Sequence, residues 1–111
     1  MERLSTAKIA SLLADAEASV QHFENSVERL RLLFSKANRA TLEATQALES
    51  TDLKDLAAIR SAITALKAAT DVQTKRCVDL MIAAQDLEIS KEEVDDLKKE
   101  IATRTTVAAA Q

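Results

Sequence analysis

From Ile9 to Leu48 the positions 9, 13, 16, 20, 23, 27, 30, 34, 37, 41, 44 and 48 follow one another in alternating steps of four and three. Their occupants are Ile9, Leu13, Ala16, Val20, Phe23, Val27, Leu30, Phe34, Ala37, Thr41, Ala44 and Leu48, and Thr41 alone among them is polar. Each step brings the side chain back to the same side of an α-helix, so a period of 3.5 held this long predicts one helix with an apolar seam. With Leu13, Val20, Val27, Phe34, Thr41 and Leu48 at heptad position a, the g positions are Leu12, Ser19, Ser26, Leu33, Ala40 and Ala47. The e positions, Ala10, Glu17, Glu24, Arg31, Asn38 and Thr45, are more polar. A helix that is apolar or small at a, d and g is built to touch two neighbours, which points to a bundle rather than a lone two-stranded coil.

The rest of the composition agrees with an all-α chain. Among 111 residues there is no Gly, Pro, Trp or Tyr. Sheets and tight turns draw on those residues, whereas Ala, Leu, Glu and Lys favour helix. Glycine loops that cradle phosphates are excluded for the same reason. Hydrophobic residues make up 47% of the chain, yet many are alanines, which bury little area each, so the expected core is thin and self-association is expected to complete it.

A second heptad runs through Leu56, Ile59, Ile63, Leu66, Thr70, Gln73, Cys77, Leu80, Ala84 and Leu87. Two long helices with a short connection must run antiparallel. The expected fold is therefore a long antiparallel helical hairpin forming one domain over residues 1–104. Its parts are a helix at about 5–48, a turn at about 49–52 and a helix at about 53–89. Ser5 or Thr6 is placed to cap the first helix. Ser50 or Thr51 is placed to cap the second, with Asp52 and Asp55 in its first turn. Ser90-Lys91-Glu92-Glu93 has the form of a capping box, so a short third helix, or else a continuation, is expected at about 91–104. Residues 105–111 are expected to fray. A turn near residue 50 sets residue k roughly level with residue 100 − k.

That register sets the candidate sites. Residues 29–39 and 60–76 hold Arg29, Arg31, Lys36, Arg39, Arg60, Lys67, Lys75 and Arg76 against one acid, Asp71, a net +7, while the remainder of the chain carries −10. Placed at one height they form a basic belt, which reads either as a solvated charged face balanced by Glu28, Glu43 and neighbouring subunits or as a surface suited to an acidic protein segment, another copy, a phosphorylated ligand or nucleic acid. The absence of interleaved Tyr and Trp and the acidic remainder argue against nucleic acid. Thr70 and Gln73 fall at consecutive seam positions. A buried amide needs a partner, so Gln73 is expected to be hydrogen-bonded and to fix register, or to face a ligand beside Arg31, Lys67 or Arg76.

A second apolar stripe, Val78, Met81, Ile82 and Ile89, lies outside the second seam. The 100 − k register sets it level with a small, uncharged outer face of the first helix that includes Ser11, Ala14, Ala18 and His22. Small residues admit close approach of another helix, so these eight positions are the expected oligomer interface. His22 reads as an interface histidine; the alternative, a phosphotransfer site, normally has a small residue close behind it, and here Phe23-Glu24-Asn25-Ser26 follows. Cys77 reads as a small core hydrophobe. With one His and one Cys and no paired carboxylates against an apolar pocket, no metal, cofactor or catalytic residue is expected. No window is apolar enough for a membrane span or a signal peptide. The expectation is a cytoplasmic, non-enzymatic interaction protein that partners itself and another protein.

Overall fold

A computed structural model of the chain describes residues 4–110, and the side chains of residues 4–107; residues 1–3 and Gln111 of the expected tail lie outside the described residues. Two helices account for nearly all of it: α1, Thr6–Glu49, and α2, Leu56–Ala110, with no strand among the described residues. By their contacts the residues fall into two compact units, Met1–Ser26 with Ala83–Gln111, and Val27–Ile82. In each, a segment of α1 packs antiparallel to a segment of α2.

The helix starts are set by side-chain oxygens. Ser5 Oγ accepts the amide of Lys8 at 3.1 Å, the cap expected for α1. For α2 the cap is Asp55, whose Oδ1 accepts the amide of Ala58 at 3.0 Å, and not Ser50 or Thr51. The connection runs over residues 50–55, later than the expected 49–52, because Thr51 is retained by α1: its hydroxyl donates to Ala47 O at 2.7 Å. Asp52 then closes a turn of its own, its side chain accepting the Lys54 amide and its carbonyl the Asp55 amide, both at 3.0 Å. Asp52 and Asp55 therefore precede α2 rather than occupy its first turn.

All twelve seam positions of α1 are buried or half-buried, from Ile9 to Leu48. Thr41 is accommodated because its hydroxyl donates to Ala37 O at 3.1 Å, so no polar group is stranded. In α2 the seam differs from the expected one. Ile59, Leu66, Gln73, Leu80 and Leu87 do face inward and Cys77 is half-buried beside them, but Leu56, Ile63, Thr70 and Ala84 are exposed. Ala62, Ala69 and Ala83 take the places of Ile63, Thr70 and Ala84, and the inward line continues through Ser90, Val94, Leu97, Ile101 and Arg104. At 62 and 69 the inward residue is an alanine, smaller than the Ile63 and Thr70 one position on, and small side chains suit the close approach of two helices.

Ser90 is accordingly a buried seam residue, 7% exposed, in the middle of an unbroken helix. The third helix expected from its capping-box pattern does not form. Nor does the helix stop where fraying was expected: residues 105–110 are helical. Thr103, Thr105 and Thr106 each return a hydroxyl to the carbonyl four residues back at 2.9 Å. Arg104 holds this end to the start of α1, donating from Nη1 to Leu4 O at 2.6 Å and from Nε to Glu100 at 2.9 Å.

The register is displaced as well. Gln73 Nε2 donates to Asn38 Oδ1 at 2.6 Å and Phe34 shares a groove with Cys77, while in the other unit Val20 shares a groove with Lys91. Residue k faces a residue near about 110 − k, not 100 − k. Half of the shift comes from the later turn. The rest is a stagger that sets the first turn of α2 opposite the connection, leaving Leu53 and Leu56 exposed at 85% and 70%.

Candidate interaction surfaces

On a helix, neighbours on the surface are three and four residues apart. Leu56, Ile63, Thr70 and Cys77 are seven apart and lie immediately beside the α2 seam, at the heptad position flanking it. The seam residues themselves are covered by α1; this flanking row is left out, with Leu56, Ile63 and Thr70 exposed and Cys77 half-buried. At its far end Phe34, Gln73, Thr74, Cys77 and Val78 line a shallow groove of about 280 Å³. Arg60 lies one turn from both Leu56 and Ile63, and Lys67 one turn from both Ile63 and Thr70, and both basic side chains are exposed. The result, in the Val27–Ile82 unit, is an open apolar row with a basic rim.

All eight residues of the expected belt belong to that unit. Arg29, Arg31, Lys36, Arg39, Arg60, Lys67 and Lys75 are exposed and Arg76 is half-buried. None is in an ion pair among the described residues. The displaced register corrects their arrangement: only the stretch holding Lys36 and Arg39 is level with the stretch holding Lys75 and Arg76. Arg60 and Lys67 are nearer the connection. The basic groups therefore form a long, open distribution and not a belt at one height.

Gln73 does have the partner its seam position required, Asn38, but Thr70 is exposed and bonded to Leu66 O at 2.8 Å, so the polar pair in the seam is reduced to one residue. Asn38 is itself exposed and stays hydrated if Gln73 is removed. Gln73→Leu is therefore expected to raise the melting temperature by roughly 3–5 °C, the equivalent of about 1 kcal/mol. A lowered melting temperature in thermal denaturation would show that the Asn38 bond outweighs the gain in apolar contact.

The eight positions expected to form one interface are divided between the units. Ser11, Ala14, Ala18, His22 and Ile89 are exposed in the unit that holds the termini. Val78, Met81 and Ile82, exposed at 48%, 65% and 53%, are in the other, level with residues near Leu32 and Glu28 instead of Ala18 and His22. On the α1 outer face the side chains of Gln21 and Asn25 bond each other at 3.1 Å, and the His22 ring meets Phe23 edge-on with centroids 5.5 Å apart. A second groove in the unit of the termini, about 310 Å³, is lined by Glu17, Val20, Lys91, Val94, Asp95 and Lys98.

Comparison with protein-family models, curated proteins and solved structures gives no match to this chain. Among the described residues no helix is long and apolar enough to cross a membrane, and no three His, Cys, Asp or Glu side chains converge as metal ligands would.

Proposed function

We propose that this chain is a non-enzymatic helical interaction protein that works as a homo-oligomer, offering rigid helix surfaces to further copies and to a protein partner. Adaptor, assembly factor and inhibitor of a larger complex are the roles such surfaces serve. The observation that carries the reading is the uncovered apolar row beside the α2 seam. Leu56 and Ile63, at 70% and 41% exposure, continue a stripe that a lone hairpin has no means to bury.

The thin core supports it. Among the described residues the buried hydrophobic ones are Ile9, Ala16, Val27, Ala37, Ala83 and Val94, and no large side chain is fully enclosed. The chain leaves 8389 Å² accessible, whereas scaling for a folded monomer of this mass gives about 6000 Å². The excess is of the order that about three interfaces of standard size, at roughly 800 Å² per partner, remove from one chain. A free, half-buried Cys77 suits the reducing cytoplasm in which we place the protein. The unpaired basic residues lend some support to a phosphorylated ligand, but their spread along the helices fits an extended partner better than a pocket.

Sedimentation equilibrium tests the reading. The weight-average mass is expected to exceed the 12.1 kDa of one chain at micromolar concentration. Ile63→Asp is expected to move it toward that value with helical content retained. A strict monomer at high micromolar concentration defeats the proposal.

A further inference from the structure

The two units differ in charge as well as in exposed apolar surface. Val27–Ile82 carries nine basic and seven acidic residues, a net +2; the unit of the termini carries six and eleven, a net −5. Within the latter the excess is concentrated on α2 between residues 86 and 100, where seven acids stand against Lys91, Lys98 and Lys99. Glu88, Glu92, Glu93, Asp95 and Asp96 are exposed there, and so is one large apolar side chain, Ile89, at 56%.

The surroundings of Ile89 and Ile63 are complementary. Helical spacing puts Asp86, Glu92 and Glu93 three or four residues from Ile89, and puts Arg60 and Lys67 three and four residues from Ile63. One surface is an exposed isoleucine ringed by carboxylates; the other is an exposed isoleucine flanked by cations in an apolar row. Resting on the homo-oligomer reading above, we infer that the occupant of the row is a second copy of this chain, which seats the Ile89 face of its α2 on the Ile63 face of the first. The isoleucines and Leu56 supply the dry centre, and Asp86, Glu92 and Glu93 meet Arg60 and Lys67 at the rim. Exposed charges of this kind steer encounter and set orientation more than they add affinity, so they decide which surface meets which. A contact between unlike patches also explains how a protein with net charge −3 associates with itself without like charges being opposed.

The test is a charge swap followed by sedimentation velocity of the full chain. Self-association of the native protein is expected to weaken at least roughly tenfold between low and molar salt, as rim pairs are screened. Arg60→Glu with Lys67→Glu, and separately Glu92→Lys with Glu93→Lys, should each reduce self-association by roughly tenfold or more while the circular dichroism stays helical. Mixing the two variants should restore a heterologous pair that neither forms alone. Oligomers indifferent to salt and to both variants, or no restoration on mixing, overturn this contact and leave the homo-oligomer reading standing. A native chain that stays monomeric at every concentration overturns both and gives the row to a different protein.

Discussion

Val27→Asp is expected to cost the protein most of its folded population. Val27 is a seam residue of α1 with 9% of its surface exposed, in a unit whose other buried hydrophobic residue is Ala37. The substitution removes an apolar side chain worth about 1.5 kcal/mol or more of burial and puts a carboxylate in its place. Because position 27 faces the contact between the helices, the carboxylate must either be desolvated or force α1 and α2 apart locally, so the total comes to about 3 kcal/mol or more. A small domain has roughly 5–15 kcal/mol to lose, and this one has a thin core. The expected result is a sharply lower urea midpoint and reduced helical ellipticity at room temperature. Leu32→Asp is the control: Leu32 is 59% exposed on the outer side of α1, and the change should shift the midpoint little. Equal effects from the two substitutions would mean that the α1 seam is not what holds the helices together.

That contrast marks how far the sequence can be read. In α1 a single alternation of threes and fours runs unbroken from Ile9 to Leu48, and every position on it is inward. In α2 between Leu56 and Leu66 apolar residues stand at 56, 57, 58, 59, 62, 63, 65 and 66, so two overlapping lines can be drawn with equal regularity. A reading by hydrophobicity takes Leu56 and Ile63. The contact with α1 takes Ala62 and Ala69, small side chains of the kind that suit close helix packing, and periodicity does not encode that choice. The residues so displaced are the ones that make the uncovered row. What a sequence reading records as part of the seam is thus the candidate interaction surface, and its signal was the surplus of apolar positions over those a two-helix contact can use.

The remaining differences follow from single hydrogen bonds. Ser50, Thr51, Asp52 and Asp55 are all competent caps by type. The choice of Asp55 depends on Thr51 bonding back to Ala47 and on Asp52 closing its own turn, which moves the start of α2 to Leu56. A few residues of displacement at the turn, together with the stagger, then change every pairing down the helices. Individual basic residues were legible as such; the height at which they meet was not. In the same way the identity of Gln73 as a partnered polar seam residue could be read, and Asn38 as the partner could not.

Lys91→Pro separates the two ways of reading Ser90-Lys91-Glu92-Glu93. If Ser90 capped a new helix, Lys91 would be its first residue, where proline is favoured: the amide there has no acceptor within the helix, and the fixed φ of proline suits the position. In the unbroken α2 the amide of residue 91 belongs to the interior of the helix, and the proline ring collides with the preceding turn, at a cost of about 3 kcal/mol or more. The position is also poorly placed to absorb a kink. Lys91 lines the groove with Glu17 and Val20, between Ser90, 7% exposed, and Val94, 8% exposed. A bend there draws the later part of α2, with Leu97, Ile101 and Arg104, away from the start of α1. The bond from Arg104 to Leu4 O then loses its geometry. The expected result is a loss of stability of about 3 kcal/mol in urea denaturation, with hydrogen exchange of the amides following residue 91 accelerated more than those of the Val27–Ile82 unit. Lys91→Ala, which keeps the amide and improves helix propensity, should leave stability within about 0.5 kcal/mol of the native value. Tolerance of the proline at the level of the alanine would mean that α2 is two helices after all, with Ser90 as the cap of the second.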